Sequence, residues 1–253
     1  MPCYNTSPLF LNEAVDSILA YKGQYNYEII VIDDGSTEAG TLKALDDLKA
    51  REIVVIRQQN QGPSAARNNA VKYTAAKFLL CLDSDNTVQP EFIDEGISLL
   101  NSNAKCAVVY AKPKFTGDAS RNEYEVEAFN IERLFIENYI DMCSVIRRSA
   151  WESAGGLDIT LKQHEDWEFW LRLYKAGWQF NFVDKVLFTY RIRQGSLITQ
   201  QEDAYKKIIA YIYQKHWDLL YEVFHKLYSM SIIYKDDKQR PLRSFIKYLT
   251  KPS

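Results

Sequence analysis

The chain has 253 residues, 47% of them apolar and 25% charged, which is enough to bury the core of one large α/β domain, with or without a helical tail, and excludes a disordered chain. Its 31 Lys and Arg against 33 Asp and Glu leave a formal net charge of −2, with acids and bases interleaved, so a protein built to grip nucleic-acid phosphates is not expected. Cys3, Cys81, Cys106 and Cys143 are widely spaced with no Cys-x-x-Cys pair, as for reduced structural thiols in the cytoplasm, and no apolar run or leader-like N-terminus points to a membrane span or to secretion.

Ser7 and Pro8 predict a helix start, with Leu11, Val15, Ile18 and Leu19 at helical spacing and Gly23 beyond its end. A buried strand follows over 28–32 and stops at Asp33-Asp34-Gly35-Ser36. Leu42, Leu45 and Leu48 mark a second helix, 53–56 a short strand, Asn60-Gln61-Gly62-Pro63 a loop, and Ser64 the start of an alanine-rich helix. Residues 78–82 read as a strand ending on Asp83-Ser84-Asp85, Pro90 opens a helix with Phe92, Ile93, Ile97 and Leu100, and 107–110 is a further strand. This alternation implies βαβ units and a mostly parallel, Rossmann-like sheet with ligands at the carboxyl ends of its strands, where both acidic clusters fall.

The second half is less regular. A helix is expected over about 123–139, strands near 143–146, 180 and 187–191, and an acidic helix start at Glu165-Asp166. From 200 onward the pattern is helical and aromatic-rich and closes in a basic segment.

Two carboxylates one residue apart at a strand end, Asp83 and Asp85, can turn toward one ligand, and a hard divalent cation needs such oxygen donors. The plain alternative is a capped turn. Asp33 and Asp34 can accept hydrogen bonds from a base or a ribose, while Gly35 lets the backbone approach; a turn would show the same residues. Arg67 and Asn68, near the start of a helix, can address a phosphate or Asp33, or form a surface salt bridge. Glu165 and Asp166 suit a helix N-terminus on dipole grounds alone, yet Asp166 can also take the proton of an acceptor hydroxyl. Trp167 and Trp170 offer a sugar-stacking face or, more plainly, core packing.

The order of these motifs resembles the large family 2 of nucleotide-sugar glycosyltransferases with the GT-A fold. Pro2-Cys3-Tyr4-Asn5 is similar to the loop after that family's first strand, 28–36 to its second strand with nucleotide-contacting acids, and 60–68 to its donor-side helix. Asp83-Ser84-Asp85 is similar to its metal-binding Asp-x-Asp, and Gly155-Gly156-Leu157-Asp158 with 165–172 to its acceptor-side segment. The resemblance covers about residues 2–196. It implies a transfer that inverts the anomeric centre, a nucleotide-sugar donor, often with uridine, and Mn²⁺ or Mg²⁺ on Asp83 and Asp85. Asp166 would be the base, with Glu165 beside it. Pro2, Tyr4, Asn5, Asp33, Asp34, Gly62, Arg67, Asp83, Ser84 and Arg193 would form the donor pocket, Tyr4 lying on the base and Asp34 bonding it. The organisation expected is a GT-A domain over 1–199, with a donor half to about 111 and an acceptor half after it, and a helical extension over 200–253.

Two departures stand out. The family's first strand precedes the Pro2 position, and the sequence starts at Met1 without it, so either the start lies upstream or the sheet lacks a central strand. Arg193 stands where many relatives carry His; it can serve a phosphate but, always protonated, cannot ligate a cation. These departures also leave open a non-catalytic nucleotide-sugar-binding or scaffold subunit. The acceptor expected is a saccharide or lipid-linked saccharide. Arg240, Arg243, Lys247 and Lys251 among Leu242, Phe245, Ile246 and Leu249 allow a peripheral contact of the tail with the inner face of the plasma membrane, or an ordinary packed helix.

Overall fold

The computed structural model of the chain describes residues 1–117, 124–192 and 202–233. Arg193 and the basic tail lie outside the described residues. Pro8 sits in the first turn of α1 (Pro8–Leu19), whose Leu11, Ala14 and Val15 are buried. The β-branched run that follows forms β2 (Ile30–Asp33), buried along its whole length. Helix α2 (Ala39–Ala50), β3 (Val54–Arg57) and α3 (Pro63–Lys72) complete the first alternating stretch.

Residues Pro2 and Cys3, expected as a loop, are a short strand, β1 (Pro2–Cys3), parallel to β2 in the register Pro2↔Ile32 and Cys3↔Asp33. The reason is local pairing. Met1 donates its amine to the Ile30 carbonyl at 2.9 Å and accepts from Ile32 N at 2.9 Å, and the Cys3 side chain enters the core. β2 then pairs with β3 in parallel, in the order β1-β2-β3.

A second, mixed sheet has the order β4-β7-β6-β8-β5, built from β4 (Phe78–Leu80), β5 (Thr87–Val88), β6 (Cys106–Gly117), β7 (Val145–Arg147) and β8 (Gln179–Ile192). The chain is thus parallel in its first three strands and mixed beyond them: β6 and β8 run parallel, while β7 lies antiparallel to both β4 and β6. The two strands expected near 180 and 187–191 are one strand, β8. Its register against β6 shifts around Lys112 and Pro113, where proline has no N–H to give the ladder. Between the two sheets an apolar cavity of about 190 Å³ is lined by Met1, Ile30, Phe78, Leu80, Ile97 and Val145, and burial there pushes the Met1 amine down to about 6.

The long helix expected over 123–139 is reduced to α5 (Ile131–Ile136). Packing overrides the helical spacing before it. Phe129 stacks on Phe180 with centroids 4.4 Å apart, and Tyr124 packs edge-on against Phe115 and Tyr190. Helices α4 (Glu91–Ser102), α6 (Arg148–Ser153) and α7 (Glu165–Lys175) flank the mixed sheet's connections, and α8 (Glu202–Lys215) and α9 (Trp217–Ile233) follow. The chain divides into two compact units, one of residues 1–129 and 139–200, the other of 130–138 with the chain from 201 on. All four cysteines are free and buried.

Gly96 has a packing cause. A Cβ there would lie 2.5 Å from Cγ2 of the buried Val145, so α4 can approach β7 only through a missing side chain. Gly96→Ala should therefore lower stability by about 1–3 kcal/mol in urea unfolding despite its better helix propensity, and adding Val145→Ala should recover part of that loss.

Candidate active site

The expected site residues converge at the carboxyl ends of β1, β2 and β4 and at the starts of α3 and α7. Asp33 closes β2 and is buried, its Oδ1 accepting from Ser36 N at 2.8 Å and its Oδ2 facing the Arg57 guanidinium at 3.1 Å. Arg57, and not Arg67, thus holds Asp33. Asp34 is also buried. Its Oδ1 accepts from Gln58 Nε2 and Gln61 N, and its Oδ2 from Gly62 N, at 2.7, 2.9 and 2.8 Å. Both of its oxygens are thereby engaged in shaping the loop that leads to Gly62, whose φ of 93° favours glycine, and to α3.

Asn5 takes a positive φ of 48° and ties β1 to the start of α2, its Oδ1 accepting from Thr37 N at 2.8 Å. Tyr4 beside it is 51% exposed and offers a ring face at the strand ends. The Ser84 hydroxyl is buried against that of Thr6 at 2.7 Å, fixing the Asp83-Ser84-Asp85 turn to the loop after β1.

Arg67 lies at the centre of the cluster and is only 6% exposed. It donates from Nη2 to Asp83 at 2.5 Å and from Nη1 to Glu165 at 2.6 Å. Burial alone would lower its pKa, but the two carboxylates outweigh that and hold it above the usual arginine value. One guanidinium therefore joins α3, the end of β4 and the start of α7. Next to it, Asn68 clasps the backbone of Leu157 in both directions, accepting from its N and donating to its O at 2.8 Å each. Gly156 is needed there, since a Cβ would come within 2.5 Å of the Asn68 amide oxygen.

Helix α7 is fixed by its buried Trp167, Phe169 and Trp170, which form core and present no stacking face to solvent. Trp170 Nε1 donates to the Ile140 carbonyl at 3.0 Å, which ties α7 to a segment that sequence reasoning passed over. The antiparallel pairing of β4 with β7 continues through Cys81 N to Ser144 O, so Asp141 comes level with the Asp83 turn. Its carboxylate accepts from Cys143 N at 2.7 Å and from the Tyr124 hydroxyl at 3.2 Å. The signal was a lone acid among Tyr139, Ile140, Met142 and Cys143.

The electrostatics follow from this crowding. Burial, then Asp83, pushes the Asp141 carboxyl up to about 7. Burial, then Glu165 and Asp141, pushes Asp166 up to about 8. The Tyr190 hydroxyl is raised by burial and by Asp141, Asp83, Asp166 and Asp85. Arg191, the residue after it on β8, donates from Nε to the Asp85 carbonyl at 2.9 Å and from Nη2 to Glu13 at 2.7 Å.

In the unfolded chain Asp166 ionises near 4, whereas the folded protein keeps it protonated to about 8. Across that window the native state holds the extra proton, so this group's contribution to stability falls as pH rises through it. Relative to the wild type, Asp166→Asn should gain melting temperature progressively from pH 5 to pH 8 and level off above. Thermal melts without metal or donor, run in parallel for both proteins, test this; a constant offset would show that Asp166 does not titrate there.

The sequence profile of Glycosyl transferase family 2 matches residues 1–154, more than half of the chain. An uncharacterized glycosyltransferase of Methanocaldococcus jannaschii is 22% identical over 225 residues, covering 86% of this chain and 78% of the relative. Chondroitin synthase of Escherichia coli is 24% identical over 219 residues, 82% of this chain but only 31% of the synthase. Among solved structures, S. aureus TarS 1–349 in complex with UDP-GlcNAc superposes with a TM-score of 0.69 at 21% identity, over 97% of this chain and 79% of that 1–349 chain. With a profile match over most of the residues that build the site, and with this architecture, the chain belongs to glycosyl transferase family 2 and has the GT-A fold.

Proposed function

We propose that this protein is an inverting transferase that moves a sugar from a nucleotide-diphosphate donor, a UDP-sugar, to an acceptor hydroxyl in polysaccharide or glycan synthesis. The observation that carries this reading is the Arg67 bridge between Asp83 and Glu165, which sets the Asp83-Ser84-Asp85 turn against the helix start that bears Asp166. The UDP-GlcNAc complex of TarS and the chondroitin synthase relative support the choice of donor and product class.

In this reading Asp166 accepts the acceptor's hydroxyl proton. Its raised pKa makes it a stronger base than an ordinary carboxylate while leaving it partly ionised near neutral pH. The acceptor oxygen bonds to the anomeric carbon as the bond from that carbon to the diphosphate breaks on the opposite face, which inverts the centre. Tyr4 supplies its ring face to the base, and Asp34 acts through the Gln58–Gly62 loop that it holds.

The site gathers more acids than cations, since Asp83, Asp85, Asp141 and Asp166 all act on Tyr190 while Arg67 is already paired with two carboxylates. A diphosphate would add to that excess, and two hard carboxylates one residue apart suit a cation that offsets it. Among the described residues no three His, Cys, Asp or Glu gather into a cage, so the donor's phosphates and water would complete the ion's shell. Held by Asp83 and Asp85, Mn²⁺ or Mg²⁺ would supply charge neutralisation for the leaving diphosphate.

Assayed against a panel of UDP-sugars with Mn²⁺, Asp166→Asn should lose about 10²–10⁴-fold in kcat while calorimetric donor binding is retained. Unchanged turnover in that variant removes Asp166 from the base role. Asp85→Ala should lose the Mn²⁺-dependent part of donor binding, and proton NMR of the product should show an inverted anomeric centre.

A further inference from the structure

Helix α9 carries two apolar faces. One, with Leu219 and Val223, is buried within its own unit, where Phe135 of α5 stacks on Tyr213 of α8 and Ile212 is fully covered. The other presents Trp217, Tyr221, Phe224 and Tyr228, which are 65%, 62%, 55% and 50% exposed. Their spacing along the helix places them on one side, in a stripe about 16 Å long. A single exposed aromatic is ordinary, but four in line on a helix that already has a buried face make a contiguous patch of the kind that marks an interaction surface.

The composition of the stripe and the charge around it select the occupant. Trp and Tyr combine an apolar ring with a polar edge and are suited to the level of lipid headgroups. On α8 and α9 Lys206, Lys207, Lys215 and Lys226 are matched in number by Glu202, Asp203, Asp218 and Glu222, and Lys226 is paired with Glu132, so the positive excess lies in the chain that follows. By sequence, the chain from 234 to 253 adds Lys235, Lys238, Arg240, Arg243, Lys247 and Lys251 against Asp236 and Asp237. A second copy docked stripe to stripe would bring these like charges together, whereas an anionic surface meets both features at once.

We propose that the Trp217–Tyr221–Phe224–Tyr228 face of α9 is a membrane-docking surface that lies in the headgroup layer of an anionic lipid leaflet. The aromatic rings supply the apolar contact, and the basic residues that follow α9 in the sequence supply the attraction to lipid phosphates. This inference is independent of the proposed catalytic chemistry and concerns a different unit of the chain.

The test is co-sedimentation of the full-length protein with phosphatidylcholine vesicles, with and without phosphatidylglycerol. The wild type should partition onto the anionic vesicles alone. Trp217→Ser/Tyr221→Ser/Phe224→Ser should reduce that partition at least about tenfold while circular dichroism stays unchanged. A second measurement needs no disruptive variant. Brominated anionic vesicles should quench the tryptophan emission of the wild type, and Trp217→Phe should remove most of that quenching, since Trp151, Trp167 and Trp170 are buried and Trp178 is half-buried in the other unit. Absence of wild-type binding, equal binding by the triple variant, or absence of quenching would each overturn the proposal. So would a wild type that sediments as a dimer in ultracentrifugation and becomes monomeric in the triple variant, because the stripe would then be covered by a second copy.

Discussion

The candidate site depends on one buried cation. Arg67 lies under the cluster with Asp83 on one side and Glu165 on the other, and these three residues come from three separate parts of the chain. Without it, the end of β4 and the start of α7 would set carboxylates against each other in a poorly solvated place. Removing one partner of such a buried pair typically destabilises by about 3–5 kcal/mol, because the charge left behind has no water. The bridge therefore fixes the relative position of the two acidic segments. Asp166, one residue beyond the bridge, is raised in pKa first by its burial and then by the charge of Glu165.

A second layer of interactions supports that bridge. Asn68 follows Arg67 on α3 and clasps Leu157, and Asn69 donates to Gln58, which itself donates to Asp34. The short helix α3 is thereby tied at three consecutive positions to the acidic turn and the start of α7, to the backbone of Leu157 and to the loop after β3. These are polar side chains on a helix whose apolar content is low, and their value lies in direction more than in burial.

The alternating first half was legible in the sequence because β2 and β3 are short β-branched runs, β4 is a short apolar run, and the turns carry their own signals in Asp33-Asp34-Gly35-Ser36 and Asp83-Ser84-Asp85. The acids of the cluster were also legible one by one, but their partners were not. Arg67 and Glu165 are 98 positions apart, and nothing local in either segment states that they meet. Asp141 was missed because a single carboxylate before an apolar strand shows no pattern; its meaning comes from the antiparallel pairing that brings β7 alongside β4. The helix expected through 124–130 failed for a related reason: Tyr124 and Phe129 have helical spacing with their neighbours, but contacts with Phe115, Tyr190 and Phe180 are worth more than one more helical turn. Pro2 and Cys3 were read as loop because two residues are too few for any strand signal.

The four buried thiols give this fold a built-in record of its own motions. Burial raises the pKa of each, so in the closed protein they are poor nucleophiles, and Cys3, Cys81 and Cys143 lie on the strands and strand ends that carry the acidic cluster, while Cys106 starts the long strand β6. Each can react with an alkylating reagent only when its surroundings open. The reaction rate at each thiol thus reads the local opening free energy around β1, β4, β7 and β6 separately, without any added label. A substrate that tightens the cluster should slow the first three clocks and leave the Cys106 clock less changed, so that occupancy of the site becomes readable as chemistry in the core.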